Sequence, residues 1–142
     1  MFLGEYQYKV DDKGRLPFPP KFREQLKQGL VLTQGLDKCI TVYSIEEWGK
    51  VSEKLAEMPS TRSNVRRLNR FTFANAFDVE FDSQGRVALP SVLRQSAGIG
   101  NAAVIAGVNT YLEIWSKDAW DEECARMKEE SWQIAEALEE KS

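Results

Sequence analysis

Val10-Asp11-Asp12-Lys13-Gly14-Arg15-Leu16-Pro17-Phe18-Pro19 is written a second time, as Phe81-Asp82-Ser83-Gln84-Gly85-Arg86-Val87-Ala88-Leu89-Pro90. Asp11, Gly14, Arg15 and Pro19 each recur 71 positions later, and Phe22-Arg23 meets Leu93-Arg94 at the same offset. After a slip of one residue, Gly35-Leu36-Asp37 aligns with Gly107-Val108-Asn109, Ile40-Thr41-Val42-Tyr43-Ser44 with Leu112-Glu113-Ile114-Trp115-Ser116, and Trp48 with Trp120. A repeat at this period marks two copies of one small module. A module of about 45–50 residues lies near the lower limit for independent folding. The two copies are therefore expected to fold against each other.

Working outward, each copy reads in the same way. A half-buried strand (Glu5–Val10; Phe77–Phe81) leads into the polar loop ending in Gly-Arg, and a second short strand follows (Leu16–Phe18; Val87–Leu89). Pro19 and Pro90 stop that strand and open a short helix, Lys21 to Gln28 and Ser91 to Ala97, closed by Gly29 and Gly98. Two more strands with hairpin turn residues between them come next: Leu30–Thr33 with Cys39–Tyr43, and Ala103–Ala106 with Tyr111–Trp115. Ser44 and Ser116 are N-cap candidates, and Ser44-Ile45-Glu46-Glu47 has the form of a capping box. Helices from Ile45 to Met58 and from Lys117 onward are predicted, with Trp48 and Trp120 anchoring them to the sheet. Trp115 and Tyr43 occupy equivalent strand positions and read as core or interface. The organisation expected is a first repeat over 1–58, a basic linker over 59–72, a second repeat over 73–120 and an acidic C-terminal helix or tail over 121–142.

Composition removes many functions. There is no histidine among the 142 residues, which excludes imidazole acid/base chemistry and Ser-His or Cys-His pairs. Two cysteines, Cys39 and Cys124, are too few for a zinc site without histidine. Cys39 lies in an apolar run and reads as a small hydrophobe. No catalytic residue, cofactor or metal site is expected, and the chain does not read as an enzyme. No stretch approaches the roughly 20 apolar residues of a membrane span, and the N-terminus lacks the pattern of a signal peptide. A cytoplasmic protein is the simplest expectation.

The net charge of −3 conceals an asymmetry. Residues 1–117 hold 16 Lys/Arg against 13 Asp/Glu, whereas residues 118–142 hold 3 against 9. A mildly basic body thus carries an acidic tail. In that tail Trp132, Ile134, Ala135 and Leu138 can form an apolar stripe, which would pack on the body or on a neighbour, or screen the basic surface. In the linker, Arg62, Arg66 and Arg70 fall on one face if the segment is helical. They are either phosphate contacts or a solvated face.

The repeated loop carries the most chemistry. Gly14 and Gly85 can supply a positive φ, and Asp11 and Asp82 suit hydrogen bonds to loop N–H groups or to the arginine four residues on. A hairpin needs no arginine, yet Arg15 and Arg86 stand at the same turn in both copies, beside Lys13 and Gln84 respectively. A guanidinium fork matches guanine O6 and N7, or a phosphate. Lys13 has no cationic twin, so unequal contributions from the two loops are expected.

The opening Met1-Phe2-x-Gly4, the paired Asp-x-x-x-Arg loops, Leu93-Arg94-Gln95-x-Ala97-Gly98 and Tyr111-x-Glu113-Ile114-Trp115 together resemble the MraZ family of bacterial regulators, over nearly the whole chain from Met1 to about Trp120. The resemblance implies a mixed α/β fold with antiparallel strands, built as a duplicated AbrB-like swapped-hairpin β-barrel with flanking helices. It also implies a nucleoid-associated transcriptional regulator that binds double-stranded DNA at promoter direct repeats upstream of the cell-division and cell-wall gene cluster. A ring-shaped homo-oligomer would display Asp11 to Arg15 and Asp82 to Arg86 along one rim, without membrane or small-molecule substrate. The alternative is an interaction or assembly module that uses the same fold without reading promoters.

Overall fold

The computed structural model describes residues 1–141. Among the described residues, eight strands and five helices follow in the order β1 (Glu5–Lys9), β2 (Arg15–Pro17), α1 (Pro20–Gln25), β3 (Leu30–Gln34), β4 (Ile40–Ser44), α2 (Ile45–Ala56), α3 (Ser63–Ala74), β5 (Phe77–Val79), β6 (Arg86–Ala88), α4 (Ser91–Ala97), β7 (Ala102–Val108), β8 (Tyr111–Ser116) and α5 (Lys117–Lys141). Six strands form one antiparallel sheet in the order β1-β7-β8-β4-β3-β5, and β2 pairs with β6 in a separate ribbon.

This order exchanges the first strands between the repeats. β1 pairs with β7 of the second copy, and β5 pairs with β3 of the first. The remaining cross-pairings lie at the centre. β4 meets β8 through Ile40↔Ile114, Thr41↔Glu113 and Val42↔Leu112, while in the ribbon Leu16 stands opposite Val87. Each pairing maps onto itself when every residue is exchanged for its repeat equivalent, and Thr41/Glu113 and Leu16/Val87 pair equivalent with equivalent, so an approximate two-fold runs through these two positions. One core then serves both copies: Leu16, Phe22, Leu32, Ile40 and Val42 pack in a single cluster with Val87, Leu93, Ile105, Leu112 and Ile114, all buried. Neither copy can bury its apolar residues without the other, as the length of the module requires.

β3 and β7 are apolar on both faces because both faces are covered. Leu30 and Leu32 point into the shared core, while Val31 and Thr33 are also buried, with Thr33 Oγ1 donating to the Thr72 carbonyl of α3 at 2.8 Å. Strands covered on both sides lose the polar alternation of an exposed sheet. Helices follow β4 and β8 through equivalent caps: Ser44 Oγ accepts from Glu47 N at 3.2 Å, and Ser116 Oγ accepts from Ala119 N at 3.1 Å. Trp48 packs on Tyr43 of β4 and on Phe73 of α3, and Trp120 packs on Trp115 of β8.

Several details differ from the sequence expectations. The first short helix ends at Gln25 rather than Gln28, because Leu26 turns inward, 1 % exposed, with φ −108° and ψ 12°. Gly29 has φ 128° and belongs to the turn into β3, whereas Gly98 does close α4 in the left-handed conformation at φ 66°. The ribbon strands begin at the arginines themselves, one residue earlier than Leu16 and Val87. Cys39 is buried and Cys124 partly so, both as free thiols. Burial, reinforced by the Glu113 carboxylate, pushes the Cys39 thiol well above its ordinary range. Beyond Met127 the α5 side chains described are exposed, including Trp132, Ile134 and Leu138, so the apolar stripe does not pack on the body of its own chain. No helix among the described residues is long and apolar enough to cross a membrane.

Candidate functional site

Each Asp-x-x-x-Arg turn is closed by its own aspartate. Asp11 Oδ1 accepts from the backbone N–H of Lys13 at 3.0 Å and of Arg15 at 2.8 Å, and Oδ2 accepts from Arg15 Nε at 2.6 Å. Asp82 repeats the arrangement with Gln84 N, Arg86 N and Arg86 Nε, each at 2.9 Å. A carboxylate on a one-carbon stem reaches N–H groups two and four residues on, which is why aspartate suits this turn. The Arg15 and Arg86 backbone N–H groups, acting first, hold the two carboxyls below the ordinary aspartate value of 3.8; the arginine side chains add to the effect. Gly14 and Gly85 adopt φ 76° and 75°, a region that side chains with a Cβ disfavour.

The tertiary structure merges the two turns into one surface. Pairing of β2 with β6 sets Arg15 opposite Ala88 and Pro17 opposite Arg86. Leu89 N donates to the Gly14 carbonyl at 2.9 Å, and Phe18 N to the Gly85 carbonyl at 3.3 Å. Arg86 Nη1 lies 3.7 Å from Asp11 Oδ2, an ion pair between loops. Nε of each loop arginine is thus spent on holding its turn, which orients the guanidinium plane. Lys13 and Gln84 are exposed beside it.

Two further arginines belong to this surface. The guanidinium of Arg94, on α4 of the second repeat, lies on Gly14 of the first: a Cβ there would stand 2.7 Å from Arg94 Cζ and Nε. Reciprocally, a Cβ at Gly85 would collide with Nη1 of Arg23, on α1 of the first repeat. Both glycines are buried beneath these side chains. Arg94 Nε donates to the Leu89 carbonyl at 3.0 Å, whereas Arg23 Nε is the one buried side-chain polar atom without a partner among the described residues. Neither arginine forms an ion pair among the described residues. Sequence reasoning matched Phe22-Arg23 to Leu93-Arg94 but gave the arginines no role. Their recurrence at the loop's own offset was the available signal.

The linker arginines are carried by α3 and its N-cap. Arg62 occupies the N-cap position of α3, and Arg66 and Arg70 are one turn apart within it. Arg66 Nη1 donates to the carbonyls of Ser60 and Thr61 at 3.0 and 3.1 Å, folding back over the start of its own helix. Arg62 and Arg70 are exposed. No group of three or more His, Cys, Asp or Glu side chains among the described residues could hold a metal ion.

An intertwined two-repeat body that presents paired, carboxylate-locked arginine turns is a class in itself. Comparison with known proteins gives the family: the model described as "MraZ protein, putative antitoxin-like" matches twice, over residues 1–71 and 72–140, and the chain belongs to this family. It is 50% identical over 141 residues to the "Transcriptional regulator MraZ" of Dehalococcoides mccartyi strain BAV1, covering 99% of both chains. Proteins of the same name from Moorella thermoacetica and Pediococcus pentosaceus are 42% and 44% identical over 138 residues, covering 97% of this chain and 96% of each relative.

Proposed function

We propose that this chain is a transcriptional regulator that binds double-stranded DNA through the merged loop surface. The observation that carries the reading is the pair of Asp-locked arginine turns, joined by the Arg86–Asp11 ion pair and related by the two-fold. A guanidinium with its plane fixed before binding loses little freedom on docking, so its remaining donors suit bidentate pairing with guanine. Arg15 and Arg86 read bases or phosphates, Lys13 and Gln84 extend the interface, and Asp11, Gly14, Asp82 and Gly85 shape the turns. Exposed Arg62 and Arg70 remain available for phosphate contacts; Arg66 contributes after release from its carbonyls. No catalysis, cofactor or small-molecule substrate is assigned.

The exchange of first strands between repeats supports an AbrB-like swapped-hairpin architecture. The loop cations Arg15, Arg86 and Lys13 are few for tight DNA binding, since affinity rises with the number of phosphates neutralised. Assembly of several copies on promoter direct repeats, in a ring, would multiply weak contacts through effective concentration. The exposed apolar residues Trp132, Ile134 and Leu138 on α5 support a surface for such assembly. The sites are direct repeats upstream of the cell-division and cell-wall genes, in the cytoplasm at the nucleoid.

The test is fluorescence anisotropy with the tandem-repeat DNA upstream of its own gene, at moderate salt. Arg15→Ala and Arg86→Ala are each expected to weaken cognate binding by about 1–3 kcal/mol for every bidentate arginine–guanine pairing removed. Unchanged binding by the folded double variant would move the function to an interaction module.

A further inference from the structure

We propose that Arg23 and Arg94 form a pair of phosphate clamps, each reaching from one repeat over the other repeat's loop. The proposal rests on the DNA-binding reading above and adds residues that act on the backbone of the duplex rather than on its bases.

The charge of the loop surface calls for these two arginines. Asp11 and Asp82 match Arg15 and Arg86 one for one, so the two turns together contribute little net charge. Lys13 is offset in number by its exposed neighbour Asp12, whereas Arg23 and Arg94 are not ion-paired among the described residues and supply the net positive charge of this surface. A DNA-binding face needs such charge, because neutralised phosphates provide the sequence-independent part of affinity.

Their geometry suits the same role. Both guanidinium groups lie against a glycine that leaves room for them, and both glycines neighbour the arginine that closes the turn. Base-facing and backbone-facing donors therefore sit side by side, as an interface needs when phosphate contacts set register and base contacts specify. Arg23 Nε is buried with no acceptor, a condition that native structures rarely leave unexplained. Drawing the Arg23 side chain outward onto a phosphate oxygen would give that donor a partner. Arg94, tethered through Nε to the Leu89 carbonyl, keeps its terminal nitrogens for the same purpose. Because each clamp comes from the opposite repeat, both repeats contribute to the interface at either loop.

The experiment compares the wild-type protein with Arg23→Gln/Arg94→Gln and Arg23→Lys/Arg94→Lys on two duplexes of equal length, one carrying the tandem repeats and one shuffled, across a salt series. The glutamine variant should bind both duplexes more weakly by a similar factor, keep its preference for the repeats, and show a log K against log salt slope shallower by about 1.8 per protomer engaged, two phosphates at about 0.9 each. The lysine variant should recover most of the slope, which a purely structural guanidinium would not permit. Should the glutamine variant fail to give a native circular dichroism spectrum, the lysine variant and single Arg→Gln changes carry the same test through their slopes. An unchanged slope in folded variants overturns the clamps while the repeat preference keeps the DNA-reading assignment. A reduced slope with no repeat preference in the wild type keeps the clamps and overturns promoter reading. Absence of binding to either duplex overturns both.

Discussion

Gly85→Ala is expected to cost stability for two separable reasons. Its φ of 75° lies in the left-handed region, where an L side chain costs about 1–2 kcal/mol. Part of this is offset, because alanine has less unfolded-state freedom to lose than glycine, by about 0.4–1 kcal/mol. The backbone contribution is therefore about 1 kcal/mol. The second contribution comes from the new Cβ, which occupies the place of Arg23 Nη1 and must evict the guanidinium. Since the obstructing atoms are the far end of a flexible side chain, eviction sacrifices packing without moving backbone, and a coupling of about 1 kcal/mol is expected for groups that touch. Urea unfolding with constant m-value should thus give a loss of about 2 kcal/mol for Gly85→Ala, and about 1 kcal/mol for the same change in an Arg23→Ala background. Gly85→Asn provides a control: asparagine visits the left-handed region readily, so its backbone cost falls while its coupling to Arg23 persists. If Gly85→Ala costs the same in both backgrounds, within about 0.3 kcal/mol, the guanidinium does not occupy the site and the packing argument is wrong.

Other outcomes follow from the same structure. A Cβ at Gly107 would meet Phe2 and Leu3 backbone atoms at 2.6–2.7 Å, so Gly107→Ala should detach the N-terminal segment and cost about as much as Phe2→Ala, roughly 3–5 kcal/mol; additive losses in the double variant by thermal denaturation would contradict this. Gly49 lies inside α2 with nothing near a Cβ, and Gly49→Ala should stabilise by about 0.5–1 kcal/mol; a fall in melting temperature would count against it. Folded-state pKa values of Asp11 and Asp82 lie below the ordinary 3.8, so the stability they contribute is full above that value and is lost as pH falls through the lower folded values; carboxyl-carbon NMR midpoints at or above 3.8 would refute the turn geometry. Cys39, buried and with its thiol raised, should resist a thiol-reactive dye until the protein unfolds, and rapid native labelling at Cys39 by mass spectrometry would contradict its placement.

The duplication, the strand and helix order and the chemistry of the loops were legible in the sequence because they rest on short-range relations. An aspartate reaches N–H groups two and four residues away, a serine caps the helix it precedes, and a core too small for one copy demands the second. Helix ends were less secure: burial of Leu26 cuts α1 short before Gly29, and this depends on what Leu26 packs against rather than on local propensity. The particular crossings of β1 onto β7 and β5 onto β3, the Arg86–Asp11 ion pair and the placement of Arg23 and Arg94 over the opposite glycines were decided only by the tertiary structure. Each joins residues far apart in the chain, and no periodicity within a repeat encodes which copy will supply the partner. The repeated sequence determined that two like surfaces exist; packing about the two-fold made them one.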